Sequence, residues 1–231
     1  NVAVGTTALD VNTTASYNTA VGYTSLGANT TGAENAAFGT EALTTNTTGT
    51  RNTGLGGYAM QANTTGSNNV GVGYLAAYNN TTGADNTAVG RSALVGNTSG
   101  SFNVAVGYAA MGTSSAGPAR NTAVGYAAGN ALTNGAYNTF VGMYAGNDAT
   151  TNGGCLAIGY GMGVGTSGSV RGHIGYNNGT TGIADYAITF GRNGTDWSRL
   201  SYGASSFTTG SDERKKKDIT DHPLGLDFIK Q

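Results

Sequence analysis

Tyrosines stand at Tyr23, Tyr74, Tyr108, Tyr126 and Tyr160, separated by multiples of a nearly constant interval. A row of flat amphipathic rings can stack on sugars, and it can equally cover the joints between stacked coils of backbone. The remaining candidates for chemistry are weaker. Asn-Thr-Thr at Asn12, Asn29, Asn46, Asn63 and Asn80, and Asn97-Thr-Ser, fit the N-glycosylation acceptor, but their regular spacing marks them first as turn residues. Asp10, Glu34, Glu41, Asp85 and Asp148 do not line up as a carboxylate pair for hydrolysis. Gly161-Met162-Gly163-Val164-Gly165 lacks the strand-to-helix setting of a phosphate loop. Ser211 and Lys216 lie five residues apart in a charged run, which by spacing alone reads as a solvated segment.

One cysteine, Cys155, excludes an intrachain disulfide framework, and with only His173 and His222 beside it a structural zinc site is not expected. The aspartate column of calcium-binding nonapeptide repeats is absent. No cofactor and no metal are therefore expected. Residues 1–210 carry six arginines, no lysine and seven acids, so there is no basic stripe for nucleic acid. No apolar run is long enough to span a membrane as a helix.

The element that must position these residues is a repeat. Asn18-Thr19-Ala20-Val21-Gly22 has close copies beginning at Asn1, Asn35, Asn52, Asn69, Asn86, Asn103, Asn121 and Asn138, with a degenerate copy at Cys155. All intervals are 17 residues except the one between Asn103 and Asn121, which contains Pro118 and is 18. A period near 20 that persists this long means stacked supersecondary units. Counting from the asparagine, position 5 is always glycine. Position 4 is always apolar and mostly β-branched, from Val4 and Val21 to Val141 and Ile158. Position 3 is small in nine copies of ten, Phe140 being the exception. Strand alternation then predicts position 4 as the buried column, with position 3 facing outward against a close neighbour. Ala at position 8 and Leu or Met at position 9 form a second apolar column, and Asn-Thr-Thr-Gly closes the coil with a turn.

Two short strands and two turns per unit predict an all-β protein, a parallel β-solenoid of about ten 17-residue coils over residues 1–153. Residues 154–210 lose the period and read as a terminal coil, cap, neck or stalk. Asn1 falls in mid-pattern and reads as a cut through a longer array. The extra residue near Pro118 is expected to bulge from a turn without disturbing the ladder.

The Ala-Val-Gly core of the repeat resembles the head repeats of trimeric autotransporter adhesins, which implies a left-handed β-roll built in three chains. A more specific resemblance begins at Ser211-Asp212-Glu213-Arg214-Lys215-Lys216-Lys217-Asp218-Ile219, followed by Leu224-Gly225-Leu226-Asp227-Phe228-Ile229. Residues 211–231 look like the opening of the intramolecular chaperone domain of endosialidase-type phage tail spikes and fibres. That resemblance implies a homotrimeric fibre and a chaperone that cuts itself off at the serine. Ser211 is then the nucleophile and Lys216 the base that activates it, in the complete precursor only, because most of such a chaperone would lie beyond Gln231.

The expected function follows from these resemblances. It is a non-enzymatic structural and host-recognition segment of a viral tail fibre or tail spike, extracellular on the virion. Its partners would be two further copies of itself, other tail proteins and a host cell-surface receptor such as a polysaccharide. A bacterial surface adhesin or extracellular filament is the alternative, and a membrane anchor in place of the chaperone would mark it. Ice binding is a third class, disfavoured because adjacent threonines alternate in facing whereas a flat face wants Thr-x-Thr.

Overall fold

The structure is a computed structural model that describes residues 1–114, 117–166, 171–176, 187–192, 196–201 and 208–209. Ten three-residue strands recur along the repeats: β1 (Val2–Val4), β2 (Thr19–Val21), β3 (Ala36–Phe38), β4 (Thr53–Leu55), β5 (Val70–Val72), β6 (Thr87–Val89), β7 (Val104–Val106), β8 (Thr122–Val124), β9 (Thr139–Val141) and β10 (Leu156–Ile158). Four more follow: β11 (Arg171–Tyr176), β12 (Ala187–Arg192), β13 (Asp196–Ser201) and β14 (Thr208–Thr209). All fourteen lie in one sheet in chain order. The first twelve pair in parallel, like residue on like residue, as in Ala3↔Ala20 and Ala20↔Ala37, while β13 and β14 join antiparallel. This is a parallel β-solenoid with no helix among the described residues. Across the 18-residue interval β7 and β8 keep register, and the Pro118 carbonyl takes the place that a glycine carbonyl holds in other coils.

Each coil has one strand, not the two that the sequence predicts. The second half is a series of turns, because positions 7 and 9 adopt left-handed backbone even where they are not glycine. Thr24, Glu41 and Tyr58 have φ of 48°, 54° and 58° at position 7, and Leu26, Leu43 and Met60 have 49°, 53° and 53° at position 9. Such a conformation costs a non-glycine residue about 1–2 kcal/mol. It also turns the N–H along the rod axis, where a neighbouring coil accepts it: Glu41 N–H donates to Tyr23 O at 2.8 Å and Leu26 N–H to Ala42 O at 3.0 Å. The strain is offset only by stacking, so a lone coil has no reason to fold.

The burial of the strand is the reverse of the sequence expectation. Position 3 is the interior column, with Ala20, Ala37, Ala88, Ala105, Ala123 and Ala157 fully buried. Position 4 faces out, with Val4 57%, Leu55 48% and Phe38 38% exposed. The physical reason is width. One strand faces one turn across a 17-residue coil, and the wall opposite position 3 is the Leu or Met of position 9. A Cβ on Gly54 would already sit 3.3 Å from Leu43 Cγ. Only alanine or glycine fits beside that leucine, and the β-branched residues are left outside. Phe140 follows the same volume rule: it is fully buried at position 3 because position 9 is Gly129 in the coil before and Gly146 in its own.

Position 5 glycines have φ from +119° to +139°, and a Cβ there would stand 2.4–2.7 Å from the next coil's backbone in the first eight copies, from Gly5 to Gly125. No other residue allows the coils to approach at that point.

Two columns of buried asparagine complete the interior. At position 1, Asn35 Nδ2 donates to Gly49 O at 2.8 Å while its Oδ1 accepts the Asn52 N–H at 2.9 Å, and the pattern recurs to Cys155, whose N–H donates to Asn138 Oδ1. At position 12, Asn29, Asn46, Asn63, Asn80 and Asn97 each pass an amide N–H to the carboxamide oxygen of the coil before. Each buried asparagine of these two columns thereby has a hydrogen-bond partner in an adjacent coil.

Candidate functional site

With the interior given over to packing, the columns that face outward are where this chain can meet a ligand. Position 6 lies just past the strand. Tyr23, Tyr74, Tyr108, Tyr126 and Tyr160 are all exposed there, at 39–54%. Tyr74 is T-shaped to Tyr58, their ring centroids 5.8 Å apart. Tyr108 and Tyr126 are stacked at 5.0 Å and 13°, and Tyr160 and Tyr176 at 5.1 Å and 21°. Tyr144 bridges Tyr126 and Tyr160 at 5.3 and 6.3 Å. Arg91 fills the coil between Tyr74 and Tyr108, its guanidinium 6.0 and 5.7 Å from the two rings. The result is one line of rings from coil 4 to β11, about 34 Å long at 4.8 Å per coil. Tyr23 stands apart, between Thr6 and Thr40 of the adjoining coils.

Four members of this line escaped the sequence reading. Tyr58 and Tyr144 sit at position 7, where left-handed backbone swings the side chain into the column beside Gly57 and Met143. Tyr176 follows Gly175, which aligns with Gly159 in the stack and restores the Gly-Tyr pair after the period has decayed. Arg91 was legible only as a gap in the tyrosines.

Because most rings face one another, the line offers solvent its edges and hydroxyls. The widest step, between Tyr144 and Tyr160, opens into a shallow cleft of about 280 Å³ with Asn147 and Gly161 on its walls. The Tyr144 phenol is held above its ordinary pKa, first by its hydrogen bond with Tyr126 and then by that ring's charge. It stays protonated, and able to donate, through the neutral range.

A second outward column is position 17, again in left-handed backbone. Here Glu34 and Arg51 pair at 3.1 Å and Arg120 lies between Phe102 and Tyr137 at 5.2 and 5.5 Å. Both members of the ion pair are well exposed, so it contributes little stability. The threonines divide as their adjacency predicts. Thr30 and Thr47 turn their hydroxyls onto the next coil's carbonyls, while Thr31 and Thr48 face solvent in single file.

Asn29, Asn46, Asn63, Asn80 and Asn97 of the acceptor-like motifs are buried, with their amide nitrogens engaged, so they are closed to glycosylation. The N–H groups of Val164 and Gly165 are taken by the Asp148 carboxylate at 2.8 and 2.9 Å, which supplies within the chain the anion such a loop would otherwise bind. His173 and Thr189 occupy position 3 of β11 and β12, where most other coils have alanine, and among the described residues their side-chain polar atoms have no hydrogen-bond partner. Burial, and then Arg171, lower the His173 pKa against an upward pull from Asp148. No cluster of three metal-ligating side chains occurs among the described residues, and no helix there is long and apolar enough to cross a membrane. Ser211 and Lys216 lie outside the described residues.

Compared with known proteins, the chain matches no family model, no curated sequence and no solved structure.

Proposed function

We propose that this chain is a structural and host-recognition segment of a viral tail fibre or tail spike, working outside the cell as a homotrimer and performing no catalysis of its own. The observation that carries the reading is the continuous parallel stack of twelve strands, in which every coil repeats the same outward columns. That is the construction of a shaft that displays one surface many times over, so that weak contacts add by avidity. The chaperone-like signature from Ser211 to Ile219, directly after the shaft, supports assembly in threes and specifies a fibre over the alternative of a bacterial surface adhesin or filament. The line of tyrosines and its cleft at Tyr144 and Tyr160 are the surface for a host receptor, with polysaccharide as the chemistry that rings and phenol hydroxyls suit.

The small residues of position 3 are interior and give the trimer no contact face. The test is the precursor extended through a complete chaperone domain. It is expected to trimerise and split at Ser211, and Ser211→Ala or Lys216→Ala is expected to leave it folded and uncut, since each removes a group needed for attack or proton removal. Normal cleavage in both variants would remove these residues from the mechanism. A native sequence that runs on into a membrane anchor would make the chain an adhesin.

A further inference from the structure

The outward face of the strands carries apolar side chains where an exposed sheet face should carry polar ones. Position 4 is apolar in all ten repeats, and the column continues through Ile174 on β11 and Phe190 on β12. Position 2 beside it is Thr, Val, Ala or Leu in β1–β10, and no charged residue falls on either column in these strands. Val104, Val124 and Val141 are each 36% exposed in the middle of the rod, where no end effect operates. Sheets with one wet face alternate apolar inside and polar outside. Here the larger apolar residues are outside and alanine is inside.

We infer that this strip, positions 2 and 4 of β1–β12, is the surface by which copies of this chain associate side by side, parallel and in register. Three features of the strip commit it to a second copy. The first is extent: twelve strands at about 4.8 Å make a face about 50 Å long, and the partly exposed side chains of the two columns amount to roughly 1,000 Å² per chain, against about 800 Å² per partner in a stable interface. The second is period. The ridges of this face recur once per coil, and only a partner with the same rise meets them along the whole length, which a copy of the chain does by construction. The third is the border: the strip is flanked by the tyrosine column on one side and on the other by position 17, where Glu34, Arg51, Asn68, Asp85 and Arg120 stand among exposed Tyr17, Phe102 and Tyr137, so an aliphatic centre lies inside a rim of charged, amide and aromatic side chains.

The inference deepens the fibre reading by naming the face through which its copies would meet. The test is the mass of the full 231-residue chain in solution at about 10 μM, before and after Val89→Asp on β6, with Thr65→Asp on the exposed turn as control. The wild type and the control are expected to be assembled, and Val89→Asp to assemble at least tenfold more weakly while keeping its β circular dichroism. A monomeric wild type, or a folded Val89→Asp assembled as tightly as the control, overturns the inference. Should Val89→Asp not fold, Val89→Cys is expected to form disulfide-linked chains under mild oxidation and Thr65→Cys is not; equal cross-linking of both, or none in an assembled protein, overturns it. A dimer supports this face and refutes the trimer, whereas a trimer that ignores host cells supports the face and refutes the recognition role.

Discussion

Asn80→Ala measures how far the rod depends on its buried amide column. Asn80 Nδ2 donates to Asn63 Oδ1 at 2.9 Å and to Gly83 O at 3.0 Å, and its Oδ1 accepts from Asn97 Nδ2 at 2.9 Å. Truncation removes all three bonds unevenly. Gly83 O keeps the Asn69 amide at 2.8 Å and Asn97 Nδ2 keeps Gly100 O at 3.1 Å, but Asn63 Oδ1 loses its donor inside the coil. One orphaned buried acceptor costs about 1–3 kcal/mol, and the two weakened groups about 0.5 kcal/mol each. The space left by the carboxamide adds about 1 kcal/mol. The expected loss is about 3–5 kcal/mol, or on the order of 10 °C in thermal unfolding followed by circular dichroism. Asn80→Asp keeps the shape and removes only the donors. Its carboxylate would face two oxygens, which raises its folded pKa, so the deficit should be largest at neutral pH and shrink as acid protonates the group. If Asn80→Ala lies within about 0.5 kcal/mol of Thr82→Ala on the exposed turn, the amide column is not what binds the coils.

Three further outcomes follow from the interior. Gly73→Ala forces a side chain into φ +130° and 2.7 Å from the Gly90 carbonyl carbon, and should cost upwards of about 3 kcal/mol and open the rod to limited proteolysis near that coil. Phe140→Ala should lose about 3–5 kcal/mol in urea unfolding, Gly146→Leu should be destabilising alone, and the double variant should recover much of both losses because it restores the small-against-leucine pairing of other coils; simple additivity would refute that volume argument. His173, its pKa lowered chiefly by burial, binds a proton more readily unfolded than folded. Stability should therefore fall as pH drops below about 6.5, and His173→Ala should flatten that slope in melting curves at pH 5 and pH 7.5; an unchanged slope removes the residue from the account.

The solenoid was legible because a period of 17 leaves few ways to stack a chain, and the parallel register followed from matching each copy to the next. What the sequence concealed was the direction of the faces. Apolar size is a sound guide to burial in a wide core, but Val21 and Val89 are too broad for a coil whose interior is one alanine and one leucine across. Ala20 looked like a surface residue because it was small, and it was small because it was inside. The asparagines were read as turn formers from composition, whereas their column is held by bonds between residues 17 apart that no local propensity reports. That column ends as a block at Ser114, Leu132 and Ala149, which is how a mutually dependent row of amides has to be given up. At the candidate site the five predicted tyrosines were visible by period, while Tyr58 and Tyr144 required a left-handed turn that side chains of their size rarely adopt.

The bonds that join one coil to the next run along the rod, so a pull on its two ends loads them in tension and in series. Within a single joint they act together: between the second and third coils Thr19, Leu26 and Ala28 donate forward to Asn35, Ala42 and Thr44, while Gly39 and Glu41 donate back to Val21 and Tyr23. The weakest joint parts first, and the chain between two joints is then free to straighten. Seventeen residues that occupied about 4.8 Å of rod extend to almost 60 Å, so each release lengthens the molecule by about 50 Å and drops the load before the next joint is reached. A force–extension trace of a single chain should show a sawtooth with that step; one long rip would mean that the coils do not yield separately. A shaft of this kind is stiff under small forces and absorbs a sudden one by spending a coil.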